Sequence, residues 1–238
     1  MPNAKQILSE IYTRKNQKTV SVFDLDSTLY NVSTRTQKIL VDFSNDVNVG
    51  LKYSAHKERL KTIQVLPSDW GIRESLIRSG LEAPIDFFEE LRNYWRQHFF
   101  SNEYLKHDVP YEGAVEYVAA IREAGVPVMY LTGRDRPDMF KGTVESLGAC
   151  GFPLEDEAKH LFMKPAKGFA EDEDYKVQIL GQIAREYDHV YFFENEPVII
   201  NKVLKSNLKV NIIFMDTVHS RREDVPTSLR VIKGRFER

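Results

Sequence analysis

Short apolar runs alternate with amphipathic stretches along most of this chain, and that alternation limits the possible folds more than any single residue does. Residues 19–25, 126–131, 160–163 and 189–193 are each brief, apolar and closed by polar or turn residues, as strands buried on both faces are. A fifth run covers 209–215, and 229–232 is a short sixth. Between them the spacing predicts helices over 113–124, 138–147, 172–187 and 197–205. Strands and helices of these lengths in alternation build βαβ units, so the expected class is α/β, a parallel sheet covered by helices on both faces.

From Tyr30 to Tyr111 the alternation stops. No strand pattern is visible there, and helical spacing is found near 34–45, 54–66, 69–79 and 84–100. In the last of these Phe87, Leu91, Tyr94, Trp95 and Phe99 recur at helical intervals. The expected organisation is a core of 1–30 and 110–238 carrying an inserted all-helical cap domain over 31–109. The aromatic stripe, with Arg96 and His98, is expected to pack between the two lobes.

The balance of charge narrows the partners. With 33 basic and 35 acidic residues the net charge is −2, and no basic tract stands out, so a nucleic-acid or anionic-membrane partner is not expected. Cys150 is the single cysteine, which excludes an intramolecular disulfide and a cysteine metal cluster. The first twenty residues lack the apolar core of a signal peptide, and no run approaches the roughly 18 apolar residues of a membrane span. A cytoplasmic location is the expectation.

In open parallel sheets, ligands bind beyond the carboxyl ends of the strands. The first run ends in "DLDST", placing Asp24 and Asp26 two positions apart, and the second ends in Thr132, Gly133, Arg134 and Asp135. Lys164 closes the third, with Lys176 beyond it, and the fourth ends in Glu194, Asn195 and Glu196. Two neighbouring carboxylates at a buried strand end repel and lose hydration unless a cation or a reaction compensates. Oxygen donors without a His/Cys cluster suit a hard cation, of which Mg²⁺ is the common choice. Beside lysine and hydroxyl donors, this set suits phosphate. One aspartate is then free to act as nucleophile, and the other to move the proton, which calls for a raised pKa.

"FDLDSTL" followed by "YLTGR", a downstream lysine and an acidic strand end resembles the haloacid dehalogenase-like hydrolase superfamily over about 150 residues of the expected core. The resemblance implies a Rossmann-like core, a cap inserted after the first motif, and Mg²⁺-dependent phosphoryl transfer. It makes Asp24 the nucleophile and a metal ligand. Asp26 becomes the general acid/base, its main-chain carbonyl also facing the metal. Thr132, with Gly133, holds the phosphoryl group. Glu194, directly or through water, and Asn195 complete the metal site, a departure from the aspartates usual there. Either Lys176 or Lys164 serves as the motif lysine, Lys176 being favoured.

Asp26 also argues for phosphate-ester chemistry over dehalogenation, because an alkoxide leaving group needs a proton and a halide does not. The expected protein is a phosphatase acting on a small phosphorylated metabolite. A phosphomutase, a polynucleotide-end phosphatase, and a non-catalytic protein that binds a phospho-ligand or a partner are the alternatives. Arg134 and Asp135 are expected to pair with each other. Glu196 either starts the next helix or touches the metal, and the acidic run 171–174 is expected to be solvated.

Overall fold

A computed structural model describes residues 3–237. The chain enters through α1 (Ala4–Thr13), whose Asn3 and Gln6 cap each other's backbone, and runs into β1 (Thr19–Phe23). A two-residue strand β2 (Tyr30–Asn31) leads into five helices: α2 (Ser33–Asn45), α3 (Val47–Lys52), α4 (Ser54–Leu60), α5 (Gly71–Arg78) and α6 (Ile85–Phe99). The chain returns through β3 (Val109–Pro110), antiparallel to β2. Then follow α7 (Ala114–Glu123), β4 (Val128–Asp135), α8 (Arg136–Cys150), α9 (Glu157–His160) and β5 (Leu161–Lys164). The chain closes with α10 (Asp172–Glu186), β6 (His189–Glu194), α11 (Pro197–Lys205), β7 (Val210–Met215) and β8 (Arg230–Ile232).

All six expected strands form one parallel sheet in the order β5-β4-β1-β6-β7-β8. Alternate side chains of β1 feed opposite faces. Val20 and Val22 pack with Ile179, Leu180 and Ile200 of α10 and α11, whereas Phe23 packs with Ile7 of α1 and Tyr117 of α7. The sheet is therefore the middle of three layers, and β1 is buried along its whole length. Stacking of Phe23 on Phe193, with ring centroids 4.2 Å apart, ties the two central strands.

The chain walks outward from β1 through β4 to β5, then returns to the other side of β1 as β6. That reversal opens a crevice at the carboxyl ends of the central strands. The five helices between β2 and β3 carry a separate core, with Leu40, Phe43, Leu60, Phe87 and Leu91 at its centre. Phe87 and Leu91 of the aromatic stripe are thus committed to the helical segment itself, and do not pack between lobes as expected.

Other differences have local causes. The strand expected to stop at Leu131 runs on to Asp135, because Asp135 pairs with Lys164 of β5 across an irregularity in register. The β2/β3 pair, at two residues each, is too short to show period-two patterning. No helix among the described residues is long and apolar enough to cross a membrane.

Candidate active site

The strand ends bring the expected residues together. Asp24 follows β1 directly, its N–H donating to the Phe193 carbonyl of β6 at 3.0 Å. Beyond it the chain folds back sharply: the Leu25 carbonyl accepts from Thr28, Leu29 and Tyr30, with Ser27 in the left-handed region at φ 62°. A non-glycine residue in that conformation is held by its surroundings, here by hydrogen bonds to Tyr30 and Thr217.

Lys176, in the first turns of α10, reaches between the two central strands. Its Nζ donates to Asp24 Oδ1 at 2.6 Å and to Glu194 Oε2 at 2.7 Å, and all three side chains are buried. Lys164 takes no part in this contact and pairs instead with Asp172 at 2.6 Å. Glu194 Oε1 accepts from the N–H groups of Asn195 and Glu196. Burial pushes the Glu194 carboxyl up to about 7, with Asp24 adding to the rise. Burial likewise raises Asp24, offset in part by Lys176. Desolvation works against a charged Lys176, but the two carboxylates outweigh it and keep the ammonium protonated. Two acids thus share one cation in a dry setting.

Asp26 lies in a different electrostatic unit. Its Oδ1 accepts from Arg35 Nη2 at 2.7 Å and from Arg134 Nη2 at 2.5 Å. Arg35 also grips Asp108 through two bonds of 2.7 Å, and Arg134 reaches the same carboxylate at 2.9 Å. Burial alone would raise the Asp26 carboxyl; the charges of Arg134 and Arg35 override it and hold the group well below the usual carboxylate range. The elevated pKa expected for Asp26 is therefore corrected, because two guanidinium groups from outside its own strand end stabilise the anion. Arg134 pairs with Asp26 and Asp108 rather than with Asp135, whose carboxylate caps α8 by accepting from the Asp138 N–H at 2.9 Å.

The two units differ in charge balance. In the second, two carboxylates face two guanidinium groups and the charges match. In the first, Asp24 and Glu194 face Lys176 alone, and burial raises both carboxyls, so one of them holds either a proton or a charge that the ammonium does not match. The donors around it are hard oxygens: the two carboxylates and the Asp26 main-chain carbonyl, which accepts no hydrogen bond from the described residues. This set fits Mg²⁺, although among the described residues no three His, Cys, Asp or Glu side chains converge.

Asn195 does not join the set. Its Oδ1 accepts from Thr28 at 3.0 Å and its Nδ2 donates to the Val218 carbonyl at 2.7 Å, so both ends buttress the loops. The metal role expected for Asn195 is thereby corrected. Glu196 precedes α11 and borders the cleft, but both its carboxylate oxygens accept from the backbone and hydroxyl of Ser220.

Thr132 is buried on β4, its Oγ1 accepting from the Arg134 N–H at 3.2 Å while its own proton goes to no described residue. Gly133 beside it leaves room for the Asp172 carboxylate, which a Cβ there would displace. The run at 171–174 caps and opens α10 in solvent reach, as expected, and Asp172 and Glu173 also border the cleft. Arg96 also lines the cleft instead of packing between lobes, whereas His98 stacks on Tyr94 at 3.9 Å. Sequence reasoning missed Arg35, Asp108, Trp70 and the pairing of Arg134.

A family model described as haloacid dehalogenase-like hydrolase matches residues 19–200, from the start of β1 into α11. In fold the chain is similar to a haloacid dehalogenase-like hydrolase from Burkholderia xenovorans LB400, at 17% identity and TM-score 0.54, over 92% of this chain and 96% of that one. A second likeness is to a predicted phosphoglycolate phosphatase from Haemophilus somnus 129pt, at 13% and 0.51, covering 90% and 93%. A third is to Protein Tyrosine Kinase A from Mycobacterium tuberculosis, at 14% and 0.53, covering 91% and 94%. At these identities the likeness establishes the fold alone. No curated protein matches the chain.

Proposed function

The chain belongs to the haloacid dehalogenase-like hydrolase family, and on that premise we propose that it is a Mg²⁺-dependent phosphatase acting on a small phosphorylated metabolite. The observation that carries this reading is the buried Asp24–Lys176–Glu194 unit, two carboxyls sharing one ammonium, set beside the hydroxyl of Thr132. Asp24, Glu194 and the Asp26 carbonyl would hold the cation, which when bound would keep both carboxylates ionised and neutralise the phosphoryl oxygens.

Asp24 attacks phosphorus, and the P–O bond to the leaving group breaks as the bond to Asp24 forms. The leaving oxygen takes a proton from Asp26. Water then attacks the aspartyl phosphate and gives its proton back to Asp26, the bond to Asp24 breaks, and inorganic phosphate departs. Lys176 holds Asp24 in line and Thr132 donates to a phosphoryl oxygen.

The proton role of Asp26 asks for a change of partner. Between Arg35 and Arg134 its carboxylate stays ionised, in the form that accepts a proton from water but holds none to give. Arg35 rides on α2 of the helical segment. We assign that segment, 31–109, as a cap whose displacement against the sheet withdraws one guanidinium and turns Asp26 toward the leaving oxygen. Closure of the cap excludes water from the nucleophile.

Hydrolysis of p-nitrophenyl phosphate with and without Mg²⁺ tests the reading. Turnover is expected only with the metal, and Asp24→Asn is expected to lower kcat on the order of a thousandfold or more. Undiminished turnover in that variant, or none by the native protein across a broad panel of phosphate esters, overturns it.

A further inference from the structure

The cleft above Asp24 has a second wall that the phosphoryl chemistry leaves unused. Pro67, Trp70, Trp95, Phe99 and Phe100 border a space of about 450 Å³ that opens onto Asp24 and Thr132 at its other side. A phosphoryl group needs only the polar end of that space.

The wall is built, and part of it is rigid. Trp95 Nε1 donates to Thr36 Oγ1 at 3.2 Å, which fixes the orientation of its ring. Phe99 lies 4.6 Å from the Trp95 ring, with the Arg35 guanidinium 4.2 Å over its own ring. Phe100 continues the cluster 5.1 Å from Phe99. At the rim the rings are open to water: Trp70 is 50% exposed and Phe100 41%. Large exposed rings beside a polar site gain most from a ligand that covers them.

Arg96 and Arg222 border the same cleft and form no ion pair among the described residues. A guanidinium hydrogen-bonds the ring nitrogens and oxygens of a heteroaromatic ligand and stacks on its face. A sugar or short hydroxy acid would leave the five apolar side chains of this wall uncovered, and an alkyl chain would leave both cations unused.

Resting on the phosphatase reading, we infer that the leaving group of the substrate carries a planar aromatic ring. The ring stacks on the wall formed by Trp70, Trp95 and Phe100 while the phosphate lies at Asp24 and Thr132. These three aromatic side chains set the choice of substrate.

The chain's two tryptophans both border this cleft, so intrinsic fluorescence reads its occupancy directly. The Asp24→Asn protein, which binds without turning over, is titrated with adenosine 5′-monophosphate, phenyl phosphate, ribose 5-phosphate and inorganic phosphate. Both ring-bearing esters are expected to bind at least about tenfold tighter than ribose 5-phosphate. Adenosine 5′-monophosphate bound tighter than phenyl phosphate identifies a nucleobase, and the reverse order a simple aryl group. Trp70→Ala and Phe100→Ala, both at exposed positions, are expected to erase most of that margin. Ribose 5-phosphate bound as tightly as the ring-bearing esters, or no binding of the latter, overturns the inference. Failure of the phosphatase reading shows separately, as native protein that hydrolyses none of these esters while its binding preference stands.

Discussion

Asp26 lies where chains from three parts of the sequence meet. Arg35 comes from α2, Asp108 from the return to the sheet, and Arg134 from β4. A buried charge left without its partner is costly, so Arg35→Met is expected to lower unfolding free energy by about 3–5 kcal/mol. Asp108→Leu alone should cost a similar amount, and the double variant less than the sum, as read by urea denaturation. Additive losses would mean that the two residues do not act as a pair. This quartet also marks how far single residues were legible. The Asp24/Asp26 pair announced itself because carboxylates interrupt an apolar run. Arg35 carried no such signal: on an amphipathic helix beside Lys38 it reads as a solvated charge. Its partner Asp108 stands 73 residues away.

Among the elements, the turn between α4 and α5 decides how the aromatic wall is presented. Asp69 accepts from the Leu66 N–H at 2.8 Å and from Arg78 Nη2 at 2.6 Å, which fixes the backbone carrying Pro67 and Trp70. Burial by itself would raise the Asp69 carboxyl, but Arg78 and the Leu66 amide hold it below its ordinary value. A depressed folded-state pKa contributes stability that is complete above the unfolded value near 4 and fades as pH falls toward the folded value. The stability gap between native protein and Asp69→Asn is therefore expected to be widest above about pH 4 and to narrow below it. Denaturation midpoints measured from pH 7 down to 3 check this, and a gap independent of pH contradicts it. Element existence was readable throughout the sheet, because buried parallel strands are continuous apolar runs. Their ends were less so: β4 extends to Asp135 only because β5 lies alongside to pair with it. The capped first turn of α1, with Ile7, Leu8 and Ile11 on one face, was a readable signal that passed unused.

For the whole molecule, function follows from the reversal of strand order at β1. It sets the ends of β1, β4 and β6 side by side, so that Asp24, Thr132 and Glu194 converge although 170 residues separate the first from the last. A helical segment with its own core stands over that point, joined to the sheet through the short β2/β3 pair and the charged quartet. The sheet was legible in the sequence because each layer repeats one period. The relation of the segment to the site was not, since it depends on contacts such as Arg35 with Asp26 that no local pattern encodes. The central claim is that Asp24 carries the phosphoryl group during turnover. Rapid acid quench of the native protein turning over an aryl phosphate with Mg²⁺, followed by peptide mass spectrometry, tests it most directly. The account predicts one added phosphoryl group on the peptide containing Asp24, absent from Asp24→Asn. Steady turnover with that peptide unmodified at every quench time would contradict it.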